Sequence, residues 1–131
     1  MKRTGILNRD LSALVAAMGH YDRMVVSDAG FPIPKGVPCI DLSMRANVPT
    51  VLEVLEIIAI ELEVEQFYFA SEVLTTQPTR LSQIAQKFPR AESFSIPHQE
   101  FKKLASEARG AVRTGDFSPY SNVLLASGVA Y

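Results

Sequence analysis

The chain has 131 residues, 47% hydrophobic and 21% charged, with thirteen basic and fourteen acidic side chains and a net charge of -1. This is the size of one domain (residues 1–131), too apolar for a disordered chain and without the basic blocks of a nucleic-acid binder. No apolar run approaches the roughly 20 residues of a membrane helix, and a lone cysteine, Cys39, excludes an internal disulfide framework and a multi-cysteine metal site; a soluble, cytoplasmic protein is expected.

Gly5-Ile6-Leu7 reads as a brief extended start and Asn8 as an N-cap. Leu11, Leu14, Val15 and Met18 follow at the spacing of one buried helical face. Gly19 suits the left-handed position that ends a helix. His20 then lies in a turn ahead of the apolar run Met24-Val25-Val26, a buried strand. Two readings of His20 stand side by side: a surface or capping residue, or an acid–base residue fixed by both neighbouring elements. Asp28 sits at the carboxyl mouth of the strand, where it either caps the next turn or faces a ligand. Ala29-Gly30-Phe31-Pro32-Ile33-Pro34 is a stiff loop leaving that mouth.

Cys39 to Ser43 alternates as a short strand, with Cys39 expected to be a small buried residue. Thr50 and Glu53 form a capping-box pattern ahead of the stripe Val51, Val54, Leu55, Ile58 and Leu62. Glu53, Glu56, Glu61 and Glu63 lie largely off that stripe, as a solvated or intersubunit face rather than paired catalytic carboxylates. Gln66 to Ala70 is an aromatic-rich strand, with Ser71 and Glu72 just past its end. Gln77-Pro78-Thr79 starts a third helix carrying Leu81, Ile84, Ala85 and Phe88, and Pro89 stops it. Ser93 to Ile96 is a fourth strand candidate.

Pro97-His98 opens a fourth helix with the stripe Phe101, Leu104, Ala105 and Ala108, ended by Gly110. His98 at a helix N-terminus meets a macrodipole that disfavours the imidazolium. It either caps the helix or accepts a proton as a neutral imidazole. Ala111 to Thr114 reads as a strand, Gly115 to Pro119 as a turn-rich loop, and Val123 to Ala126 as a last apolar strand. Between them Tyr120, Ser121 and Asn122 offer an aromatic face, a hydroxyl and an amide. That combination suits a sugar, although Pro-Tyr-Ser-Asn also makes an ordinary turn. Alternating strands and helices predict an α/β fold, a three-layer α/β/α domain with a largely parallel, possibly mixed sheet. No GxGxxG, GxxxxGKS/T or GxSxG motif is present, and two histidines and one cysteine make a poor zinc set, so no metal is expected.

The motifs taken together resemble the D-ribose pyranase family, which includes the fucose mutarotases. The matching pieces are GILN at Gly5–Asn8, MGHYD at Met18–Asp22 and SDAGFPIP at Ser27–Pro34. They continue with Ile40-Asp41-Leu42, Glu61 to Glu65, His98 to Lys102, RTGDFSPYSN at Arg113–Asn122, and Ala126 to Val129. The resemblance covers nearly the whole chain and is weakest between Phe67 and Glu92. It implies that His20 is the proton donor and that Asp28, His98, Tyr120, Ser121 and Asn122 bind the sugar. It further implies a homo-oligomer, a decamer of two stacked pentamers with sites near subunit contacts, completed by a neighbour's His98 or C-terminal segment. Phe31 departs from an expected leucine and Ser121 from an expected alanine or glycine. Gly30 favours the ribose over the fucose branch.

The implied activity interconverts the β-pyranose and β-furanose forms of D-ribose by acid–base ring opening and closing, in support of ribose uptake and phosphorylation. A proton must reach the ring oxygen while the anomeric hydroxyl loses one. Groups titrating near neutrality suffice, with no cofactor. A contact between His20 and Asp28 is the arrangement that would hold the donor. A mutarotase for another aldose such as L-fucose, and a non-catalytic sugar-binding accessory protein, are the alternatives.

Overall fold

In the computed structural model, which describes residues 1–131, five strands and five helices follow one another before a last strand returns. They are α1 (Arg9–Ala17), β1 (Arg23–Ser27), β2 (Cys39–Asp41), α2 (Val51–Glu61), β3 (Val64–Ala70), α3 (Val73–Thr76), α4 (Arg80–Lys87), β4 (Glu92–Ile96), α5 (His98–Ala105), β5 (Gly110–Arg113) and β6 (Val123–Ser127). The six strands form one sheet in the order β2-β5-β1-β6-β3-β4. β1 and β2 each pair parallel with β5, and β3 pairs parallel with β4. β6 runs antiparallel between β1 and β3, so the sheet is mixed.

Side-chain alternation along the strands separates two cores. Met24 and Val26, Phe67 and Phe69, Val112, and Val123 and Leu125 face one side, against Leu11 and Val15 of α1, Val54 and Ile58 of α2 and Ile84 of α4. Val25, Ala111 and Leu124 face the other side, against Phe31 and the α5 residues Phe101 and Ala105. One sheet face thus carries most of the helices and the other carries α5, a lopsided three-layer α/β/α arrangement.

Local chemistry explains most boundaries. The Asn8 side chain accepts from the Leu11 backbone N–H, and Thr50 with Glu53 completes the capping box of α2. The off-stripe glutamates are structural: Glu56 pairs with Lys87, Glu63 with Arg90, and Glu61 accepts from the Ile6 N–H at 2.6 Å. The glycine stops differ from expectation. Met18 in extended geometry ends α1 and Ser106 ends α5, so neither Gly19 nor Gly110 is a left-handed cap. Gly110 instead opens β5, where a Cβ would meet the Leu14 side chain at 2.8 Å. Cys39 is exposed rather than buried, because β2 is an edge strand. Ser43 lies outside β2, its backbone N–H donating to Asp41 at 2.9 Å. The aromatics Phe67 and Phe69 are buried in the core.

Candidate active site

Because β6 is antiparallel to its neighbours, the carboxyl ends of β1, β4 and β5 and the start of β6 share one edge of the sheet. A cavity of about 510 Å³ opens there, between the Asp28–Pro32 loop, His98 and the loop from Asp116 to Asn122. This volume falls in the range of small-molecule sites.

Asp28 and Asn122 clasp each other across the β1–β6 pair. The Asp28 N–H donates to Asn122 Oδ1 at 2.9 Å, and Asn122 Nδ2 donates to Asp28 Oδ2 at 3.1 Å. Asp28 Oδ1 accepts from the Gly30 N–H at 3.0 Å, closing the turn that begins the loop. Asp28 therefore caps its turn and lines the cavity at once. Its pKa is raised above the ordinary carboxyl value by burial, against the lowering effect of its hydrogen bonds from Gly30, Asn122 and Phe31.

His98 begins α5 inside an aromatic wall. Its ring lies edge-on to Tyr120 (centroids 5.2 Å apart) and to Phe31 (6.1 Å). Nδ1 is buried and has no hydrogen-bond partner, so the side chain does not cap the helix. The carboxylate of Glu72 instead accepts from the His98 backbone N–H at 3.2 Å. The His98 pKa is lowered, chiefly by burial and then by Lys102, with Glu72 and Asp28 opposing. The direction matches the helix-terminus expectation; burial is the leading cause. Phe31, the departure from leucine, is 3% exposed and part of this wall.

Tyr120 lines the cavity in a left-handed conformation, φ 61. Ser121 is buried, and its Oγ accepts from Gln77 Nε2 at 3.0 Å; its side chain does not line the cavity.

His20 stands apart from these groups. It precedes β1 and Asp28 follows it, which separates them by about 16 Å of strand. His20 Nε2 donates to Glu65 Oε2 at 2.9 Å, and its ring stacks on Tyr21 with centroids 3.8 Å apart. The contact with Asp28 is absent because five residues of β1 run between the two. Within one chain, Asp28, His98, Tyr120 and Asn122 come together, and His20 lies at the opposite edge of the sheet.

Asp116, Gln77 and Arg80 were not singled out as site residues by sequence reasoning, whereas Glu72, read just past the β3 end as a possible mouth position or more simply a cap, caps the start of α5. Asp116 lines the cavity at 1% exposure; its Oδ2 accepts from the Val51 N–H at 3.0 Å, at the start of α2, and lies 3.8 Å from Arg80 Nη1. The one available signal was Arg80, a cation in a stretch whose neighbours read as an ordinary amphipathic helix.

Fold and cavity define an α/β protein that places a carboxylate, a neutral imidazole, a phenol and an amide around a space for a small polar molecule. The chain belongs to the RbsD / FucU transport protein family, whose profile matches residues 1–130. It is 40% identical over 131 residues to a D-ribose pyranase of Lactiplantibacillus plantarum and 44% identical over 131 residues to one of Lactobacillus gasseri, covering all of each chain. The structure of Bacillus subtilis RbsD complexed with D-ribose superposes with a TM-score of 0.95 at 37% identity over 100% of both chains. The fucose mutarotase of Streptococcus pneumoniae, in complex with L-fucose, shares the fold at a TM-score of 0.80 and 21% identity, over 95% of each chain.

Proposed function

We propose that this protein is a D-ribose pyranase, an isomerase that needs no cofactor and interconverts the β-pyranose and β-furanose forms of the sugar. The observation that carries this reading is the rim where Asp28, His98, Tyr120 and Asn122 converge, in a chain alike over its whole length to the ribose-bound Bacillus subtilis protein. Opening the ring breaks the bond between the anomeric carbon and the ring oxygen. The ring oxygen takes up a proton, the anomeric hydroxyl gives one up, and an open-chain aldehyde forms. Closure through a different hydroxyl yields the other ring size. Neutral His98, which lines the cavity, accepts a hydrogen bond or proton from a sugar hydroxyl, and Asp28, held by Asn122, accepts another. Tyr120 offers its ring to the apolar C–H face, and Ser121 holds the backbone of the segment.

His20 is the proton donor in this proposal, and it acts in a neighbouring subunit's cavity, since its own lies across the sheet. Exposed Tyr21 beside it, and exposed Ile57, Ile60, Val129 and Tyr131 elsewhere, suit a ring of subunits, proposed as a decamer of two stacked pentamers. The whole chain acts as one domain in the cytoplasm, ahead of ribose phosphorylation.

NMR exchange spectroscopy on equilibrated D-ribose tests the activity, because pyranose and furanose signals are read directly. Accelerated exchange with wild type, lost in His20→Ala and in His98→Gln, is expected. Ribose binding with exchange left at the uncatalysed rate would replace the enzyme with a sugar-binding accessory role, and acceleration with L-fucose alone would move the protein to the mutarotase branch.

A further inference from the structure

We propose that Gln77, oriented by Arg80, is a positioning residue that sets the conformation of Tyr120 and thereby the affinity for the sugar ring. The inference rests on the ribose pyranase reading and extends it to residues outside the cavity.

Gln77 follows the short helix α3 and lies against the β5–β6 loop. Its Nε2 donates twice, to the Pro119 carbonyl at 2.9 Å and to Ser121 Oγ at 3.0 Å. These are the residues on either side of Tyr120. One amide therefore brackets the left-handed residue, which carries a Cβ and disfavours φ 61 on its own. The Tyr120 ring meets His98 edge-on at 5.2 Å, so displacement of this backbone changes the wall of the cavity.

The direction of the amide is enforced from behind. Gln77 Oε1 accepts from Arg80 Nε at 2.9 Å and from Nη2 at 2.5 Å. A guanidinium only donates, so a flipped amide would turn its NH₂ against two N–H groups. Arg80 is 8% exposed, and its remaining arm, Nη1, lies 3.8 Å from Asp116 Oδ2. Asp116 Oδ1 accepts from the Ser118 N–H at 2.8 Å. One buried arginine thus controls both ends of the loop: Asp116 directly, and the Pro119–Ser121 end through Gln77.

Gln77→Glu tests this link while keeping an acceptor for Arg80. Its carboxylate has no N–H for the Pro119 carbonyl, and Ser121 alone can still donate to it. With exchange rates measured against ribose concentration, KM should rise about tenfold with kcat within about twofold, the sign of lost binding rather than lost chemistry. In a Tyr120→Ala background the same change should raise KM no further, since residues that act through one another are not additive. Arg80→Lys keeps a cation beside Asp116 but loses the planar fork on Gln77, and should raise KM in the same direction, which tests the link independently should Gln77→Glu fold poorly. A wild-type KM in the folded variants overturns the inference, as does a full additional rise in the Tyr120→Ala background. Wild-type protein that does not accelerate ribose exchange overturns the proposed function and this inference with it; active wild type with an unaffected Gln77→Glu overturns the inference alone.

Discussion

His98 and Asp28 face one cavity with their proton affinities displaced in opposite directions, His98 downward and Asp28 upward, and burial is the first cause of both. His98 is therefore neutral at pH 7, and the acid limb of kcat/KM, which reports free-enzyme groups, should fall at an apparent pKa below about 6.5. Lys102 is the second cause of the His98 shift. Lys102→Met should move that limb toward higher pH; a pH–rate profile of this variant against wild type checks it. The same shift affects stability. The unfolded chain binds more protons between the lowered folded value and about 6.5, so the contribution of His98 is complete above that window and is lost as pH falls through it. Asp28 has the opposite sign: its folded pKa lies above 3.8, so ionising it costs stability as pH rises from 3.8 through the raised value. Chemical denaturation against pH, comparing wild type with His98→Gln, isolates the first effect. The identities of these two residues were readable from sequence because each ends or follows a strand. Their environment was not, because the aromatic wall around His98 is assembled from Phe31, Phe101 and Tyr120, far apart in the chain.

At the level of elements, the loop between β5 and β6 is the part of the site most dependent on long-range packing. Gly115 passes so close to the Arg45–Val48 turn that a Cβ there would collide with the Arg45 carbonyl oxygen and lie 2.6 Å from that of Val48. Both are backbone atoms and cannot rotate away. Gly115→Ala should cost roughly 1–3 kcal/mol, the range of overpacking, and lower Tm by several degrees. It should also weaken ribose affinity by shifting Asp116. Thermal melts with ribose titration check this, and an unchanged Tm would refute the close packing. Thr50→Ala, which removes one half of the α2 capping box, should cost about 1 kcal/mol without touching ribose affinity. The contrast between the two shows what was legible. The capping box, the Asn8 cap and the strand alternation are local patterns, so spacing alone identifies them. α3 is four residues long, too short to show a period, and the Gln77 clamp beside it reaches Pro119, 42 positions further on. The glycine stops misled for a related reason: Gly110 is dictated by the approach of Leu14, a contact between distant segments.

For the whole molecule the deciding fact is the distribution of the proposed catalytic groups over two opposite edges of one sheet. Asp28, His98, Tyr120 and Asn122 sit at the edge where β1 ends and β6 begins, whereas His20, Glu65 and the Asp22–Arg109 pair sit at the edge where β1 begins and β6 ends. This division was already implicit in the sequence, since a strand between His20 and Asp28 must point its ends apart. A protein that needs both groups on one sugar has to bring His20 from another copy. Subunit mixing tests that requirement. His20→Ala and His98→Gln, each expected to be inactive alone, are unfolded together and refolded as a mixture. If every site combines His20 of one subunit with the cavity of its neighbour, random mixing at equal amounts leaves roughly a quarter of the sites with both groups intact, and about a quarter of wild-type ribose exchange returns. If each site is built within a single chain, every site lacks one group and no activity returns at any ratio. Recovery should vanish when either variant is replaced by the double variant, because no copy then supplies an intact cavity together with a neighbour's intact His20 in both required roles. The dependence of recovered activity on mixing ratio should follow the product of the two fractions, with its maximum at equal amounts; a linear dependence on either variant would mean that variant is active by itself and that its substituted residue is dispensable.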